Sequence, residues 1–162
     1  MAKKKILGTK NVYELAQERL KVIFNEFDNI YVSFSGGKDS GVLLNMCIDY
    51  IRKNNLKIRL GVFHMDYEIQ YKMTIDYVDR MLEANKDILD VYRVCIPFRV
   101  ATCTSMYQSF WRPWEDSKKN IWVRSMPKKI FLFIIQPCGI MNFRCVLRNG
   151  YIIKMMQCAL VV

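Results

Sequence analysis

A chain of 162 residues and 19.2 kDa has the length of one domain. At 52% hydrophobic and 25% charged it can bury a core, which excludes an ordinary disordered protein, and seven glycines with four prolines exclude collagen-like or proline-rich low complexity. Lys and Arg number 25 against 15 Asp and Glu, a net charge of +10 that suits nucleotides, nucleic acid or acidic surfaces without choosing among them, and that a merely basic surface would also give.

The start, Met1-Ala2-Lys3-Lys4-Lys5-Ile6-Leu7-Gly8, is basic but has no apolar stretch behind it. It therefore does not read as an export signal, and the expected compartment is the cytoplasm. The first helix is expected after Asn11, an N-cap, with Val12, Leu15, Ala16, Leu20, Ile23, Phe24 and Phe27 at 3/4 spacing. Asp28-Asn29 ends it, and residues 30–34 read as a short strand. Ser35-Gly36-Gly37-Lys38-Asp39-Ser40-Gly41 follows as a loop. Residues 42–51 are apolar on most faces, as in a helix between sheet and neighbours, with Arg52-Lys53 at its negative end and Asn54-Asn55 as the stop.

Residues 58–65 form the second expected strand and Asp66-Tyr67-Glu68 its turn. Ile69, Met73, Tyr77, Val78, Met81 and Leu82 repeat at helical spacing, which makes Glu68 a first-turn helix acid. Residues 91–96 are a third strand, stopped by Pro97. Alternating helix and strand implies a parallel sheet, with ligands outside the carboxyl ends of the strands. The fold class expected is an α/β, Rossmann-like domain. Residues 99–126 are irregular and aromatic-rich, and residues 121–124 are a candidate fourth strand.

The end of the chain differs. All 15 acids lie at or before Asp116, and residues 130–162 carry Arg144, Arg148 and Lys154 as their only formal charges. Their longest apolar run, residues 130–135, is far below the roughly 20 residues of a membrane span. The expected division is a folded domain over residues 1–129 and an acid-free tail over 130–162. Three readings of the tail stand open: a buried terminal or subunit contact, a segment lying on a membrane surface, or a stretch not selected for folding. None of the six cysteines forms a C-x-x-C pair, and His64 is the only histidine, so no zinc site is expected. Cys47 and Cys95 fall inside periodic elements and read as core; Cys103, in the irregular region, is the cysteine worth testing as a thiol nucleophile.

The chemistry is expected at Ser35-Gly36-Gly37-Lys38-Asp39-Ser40, between a strand and a helix. Glycines let the backbone approach a ligand, and successive N–H groups at a helix N-terminus make an anion site. Ser35 and Ser40 add hydroxyls and Lys38 a positive charge. Asp39, unexpected beside an anion, is a helix cap or a Mg²⁺ ligand. The spacing is neither the Walker pattern nor G-x-G-x-x-G. Asp66 is a candidate for a ribose hydroxyl or a metal, or a plain strand-end turn residue. His64 reads as a core histidine. Arg124 is a candidate for a second anion site, since a guanidinium matches phosphate and sulfate. No nucleic-acid motif accompanies the basic charge.

The hexapeptide resembles the S-G-G-x-D-S signature of the PP-loop ATP pyrophosphatases and of their relatives, the phosphoadenosine phosphosulfate (PAPS) reductases. The acidic turn Asp66-Tyr67-Glu68 falls where the PAPS reductase branch has one. The stretch 62–71, and Trp111, Trp114, Trp122, Val123, Arg124, Met126 and Pro127, look like PAPS-reductase-like proteins with an extra C-terminal domain. The likeness covers residues 9 to 129, as in the N-terminal part of such a protein closed by an unrelated tail. It implies an adenine-nucleotide ligand, ATP or PAPS, with Mg²⁺ for the former, held by Ser35, Gly36, Gly37, Lys38, Asp39, Ser40 and Asp66. Two chemistries go with it: attack on the ATP α-phosphate, or reduction of a sulfonucleotide. A non-catalytic nucleotide-binding module, or a truncated remnant that associates through its apolar tail, is the alternative. The Glu-Cys-Gly-Leu-His segment that supplies the reductase cysteine has no counterpart in this sequence.

Overall fold

The computed structural model describes residues 8–102, 105–127, 145–146 and 152–153. Cys103, Lys3 to Lys5 and most of the 130–162 tail lie outside them. Helix α1 (Val12–Glu26) opens on Asn11, whose side chain accepts the Glu14 N–H while the Glu14 carboxylate takes the Asn11 N–H, a capping box. Strand β1 (Tyr31–Ser33), helix α2 (Lys38–Lys53), strand β2 (Leu60–Met65), helix α3 (Lys72–Ala84) and strand β3 (Leu89–Val94) follow. The strands pair in parallel in the order β1-β2-β3, with Ser33 beside Phe63 and Met65 beside Val94. The expected α/β architecture with a parallel sheet is therefore present.

The core lies along this sheet. Val32 and Phe34 at β1, Leu60 and Val62 on β2, Leu44, Cys47, Ile48 and Ile51 on α2, and Val78 and Leu82 on α3 are buried together. At roughly 1.5–3 kcal/mol for each fully buried large apolar side chain, this cluster is what holds the helices to the sheet. Alternation in β2 is strict: residues 60, 62 and 64 are buried and 61, 63 and 65 less so.

Several boundaries differ from the sequence reading. Helix α2 starts at Lys38, inside the polar motif, because Gly37 is its N-cap. It buries one face, Gly41, Leu44, Cys47, Ile48 and Ile51, while Val42 is exposed, so it is not apolar all round. Helix α1 buries only Leu20 of its apolar stripe. It meets α2 near its C-terminal end, where the rings of Phe24 and Tyr50 stack at 4.9 Å, and Val12 and Leu15 stay exposed. Helix α3 begins at Lys72 rather than at residue 69, and β3 runs two residues earlier than expected.

Residues 121–124 are not a strand. A 3-10 helix, Asp116–Ile121, occupies that region, and Trp122 to Arg124 leave it as an irregular segment. The second sheet is instead a short antiparallel pair, β4 (Val100–Ala101) with β5 (Phe110–Trp111). Within the 130–162 tail, β6 (Cys145–Val146) and β7 (Ile152–Ile153) pair antiparallel. Among the described residues no helix is long and apolar enough to cross a membrane.

Candidate functional site

The loop leaves β1 at its carboxyl end. Phe34 N–H donates to the Phe63 carbonyl at 2.8 Å, which carries the β1–β2 pairing up to the first loop residue. The chain then turns at Gly36, whose φ is +82°. Only a residue without a Cβ fits: a Cβ there would lie 2.8 Å from both Thr74 Cγ2 and Val78 Cγ2 of α3. Gly41 has a similar duty one turn into α2, since a Cβ there would lie 2.6 Å from the Tyr77 hydroxyl. Helix α3 is thus pressed against the loop from the side.

The two serines close the loop on itself. Gly37 N–H donates to Ser35 Oγ at 3.3 Å, and Ser40 Oγ donates to the Gly37 carbonyl at 3.1 Å. The hydroxyls of Ser35 and Ser40 are 3.0 Å apart. With the Ser40 proton on Gly37, the Ser35 hydroxyl is the donor in that contact. Both hydroxyl protons, expected as ligand donors, are engaged within the loop itself.

No side chain caps α2 at Gly37. The N–H groups of Lys38 and Asp39 are therefore open at the positive end of a 16-residue helix, which attracts an anion. Gly37, Lys38 and Asp39 are exposed. Asp39 sits in the first helical turn but does not cap it. Among the described residues no group of three or more His, Cys, Asp or Glu forms a metal cage.

The neighbouring strand end is built differently. Asp66 is fully buried, its carboxylate bonded to the Arg124 guanidinium and to the Glu68 N–H at 3.0 Å. Its second oxygen lies 3.7 Å from Arg93 Nε, and Arg93 is also paired with Asp79 at 2.6 Å. The carboxylate expected to meet a ribose hydroxyl or a metal thus meets two arginines, and Arg124, expected at a second anion, meets Asp66.

Glu68 is not a helix acid. It is buried, sits at φ +64°, and precedes α3 by four residues. Its carboxylate accepts the N–H of Trp114 at 2.7 Å and of Val123 at 3.0 Å, and its carbonyl accepts Arg124 Nε at 3.0 Å. Trp114, itself at φ +55° and 2% exposed, donates its indole N–H to the Asp66 carbonyl at 2.7 Å. The Arg124 guanidinium lies over the Trp114 ring at 4.9 Å, and Trp122 meets that ring edge-on at 5.3 Å. The aromatic segment that sequence left irregular is held across the end of β2 by Asp66 and Glu68. The signal for it was present as two acids followed by Trp and Arg, but the partners lie 46 to 58 residues apart.

His64 is a core histidine, fully buried on β2, with Nδ1 2.7 Å from the Phe34 carbonyl. That carbonyl accepts, so the proton sits on Nδ1. Burial holds its pKa below the ordinary 6.5, with the Phe34 hydrogen bond acting the other way. The sign follows. Below pH 6.5 the unfolded chain binds a proton that the folded chain resists, so stability falls as pH drops. We expect stability in urea titrations to fall as the pH drops below 6.5. His64→Gln should flatten that part of the slope, which an unchanged slope would contradict.

Comparison with known proteins gives three results. A family model described as phosphoadenosine phosphosulfate reductase domain matches residues 29–127. Over 119 residues the chain is 36% identical to the uncharacterized protein YbdN of Escherichia coli (strain K12), a stretch that is 73% of this chain and 28% of that relative. The chain thus spans little more than a quarter of the relative's length. No solved structure matches.

Proposed function

Because the chain belongs to the phosphoadenosine phosphosulfate reductase domain family, we propose that it binds an adenine nucleotide, with a phosphate or sulfate group on the loop from Ser35 to Ser40. The observation that carries the reading is the uncapped, exposed N-terminus of α2 behind a glycine turn that admits no side chain. Backbone N–H groups of Lys38 and Asp39 would meet the anion and the Lys38 ammonium would add a mobile positive charge. PAPS is the ligand class the family favours. ATP is the alternative, and with it Asp39 would hold a Mg²⁺ that neutralises phosphate charge.

The proposal is binding, not sulfonucleotide reduction by this chain alone. Reduction needs a thiolate. Burial pushes the thiols of Cys47 and Cys95 up to about 12, so neither is ionised near neutral pH. Cys103 lies outside the described residues. Neither Cys47 nor Cys95 therefore serves as the reductant, and oligomerisation or a nucleic-acid contact of the basic surface would be separate properties.

Thermal unfolding of the purified chain with Mg²⁺ and either ATP or PAPS tests the reading. At 100 times the dissociation constant a ligand adds about 2.7 kcal/mol of stability. The melting temperature should rise with one of the two nucleotides and rise far less in Lys38→Ala. A transition that neither nucleotide moves would count against nucleotide binding.

A further inference from the structure

We infer that Arg124 is a positioning residue: by pairing Asp66 it keeps the strand edge beside the loop from carrying excess negative charge, and it does not itself touch the anion. The inference rests on the nucleotide reading above and assigns a residue to it. Asp66 leaves β2, the strand next to the one that ends in the loop, and neighbouring strands lie about 4.8 Å apart. A bare carboxylate on the same carboxyl edge of the sheet as the loop repels an incoming phosphate or sulfate.

The arginines that face it are not equivalent. Arg93 is shared between Asp66 and Asp79, at 3.7 and 2.6 Å. Among the described residues Arg124 has no second acid. Its terminal nitrogen meets Asp66, its Nε donates to the Glu68 carbonyl, and its plane lies over Trp114. Its remaining exposure is small, with the side chain 22% accessible. A guanidinium fixed in this way on a carboxylate, a carbonyl and an indole face has its charge committed inward. Without it, Asp66 and Asp79 share Arg93 alone.

The two roles for Arg124 separate in a double variant. If Arg124 works through Asp66, removing both charges restores the balance. If it touches the ligand, removing both leaves the contact missing. Isothermal titration of ATP and of PAPS into the full chain would be made for wild type, R124Q, D66N/R124Q and K38A. For whichever nucleotide wild type binds, K38A should lose binding and R124Q should bind on the order of tenfold more weakly. D66N/R124Q should return to within about twofold of wild type. A double variant as weak as R124Q overturns the inference and makes Arg124 a ligand contact; an R124Q of unchanged affinity overturns it too. Should R124Q not fold, the double variant against wild type decides alone, since a neutral Asn–Gln pair leaves no buried charge unpaired. Wild type that binds neither nucleotide defeats the nucleotide reading and this inference with it, and that failure is visible in the first titration.

Discussion

Gly36→Ala should destabilise the protein by about 2–5 kcal/mol and remove the anion binding proposed for the loop, while Gly37→Ala, one residue on, should cost less than about 1 kcal/mol. The two glycines look alike in sequence and differ in physics. Gly36 sits at φ +82°, where an L residue is strained by roughly 1–2 kcal/mol. Its Cβ would also meet two methyl groups of α3 at 2.8 Å, and those belong to Thr74 and to fully buried Val78, which have little room to retreat. Overpacking of that kind typically adds 1–3 kcal/mol. Gly37 sits at φ −79°, where every residue is at ease, and a Cβ there would meet only Ser35 Oγ at 3.4 Å. Urea unfolding of both variants checks the stability half, and nucleotide titration the other. Equal losses from the two substitutions would show that the loop geometry is set by something other than the Gly36 turn.

The contrast shows what a sequence of this kind discloses. The motif was legible because its parts are neighbours in the chain: a β-rich run, two glycines, and an apolar period that resumes after Ser40. The start of α2 was misplaced because Lys38, Asp39 and Ser40 carry no apolar period, although they are its first turn. His64 was legible as core from the alternation of β2. Residues 121–124 were misread because Ile, Trp and Val favour strands, yet Ile121 and Val123 are exposed and the Val123 N–H goes to Glu68 instead of a ladder. Asp66 and Arg124 were each singled out for a ligand, and the structure brings them to each other. Residue type revealed that both were charged groups with a task. The partner of each, more than fifty residues away, could not be read from local spacing.

The other large effect is expected at Glu68, whose role no local pattern announced. Glu68→Ala should cost about 2–4 kcal/mol, because it strands the buried N–H of Trp114 at ~1–3 kcal/mol and breaks the part-buried bond from the Val123 N–H, worth ~1 kcal/mol. Glu68→Gln keeps the shape but turns an amide N–H₂ toward one of those two donors, so about half of the loss should remain. Asp66 should be the milder site of the pair when its partner is neutralised with it, as in D66N/R124Q, because its acceptor can be replaced by an amide oxygen. Glu68→Gly separates backbone from side chain: it relieves the φ +64° conformation yet removes both carboxylate bonds, so it too should be unstable, though less than Ala. Intrinsic fluorescence reads the local consequence. Trp114 is 2% exposed and touches Trp122, so release of the segment should move the emission to the red before the main unfolding transition. A blue, unshifted spectrum with wild-type stability in Glu68→Ala would mean that the aromatic segment is held by the Arg124 and Trp114 contacts alone. A red shift at intact helicity would show that the acidic turn is what fastens that segment to the end of β2.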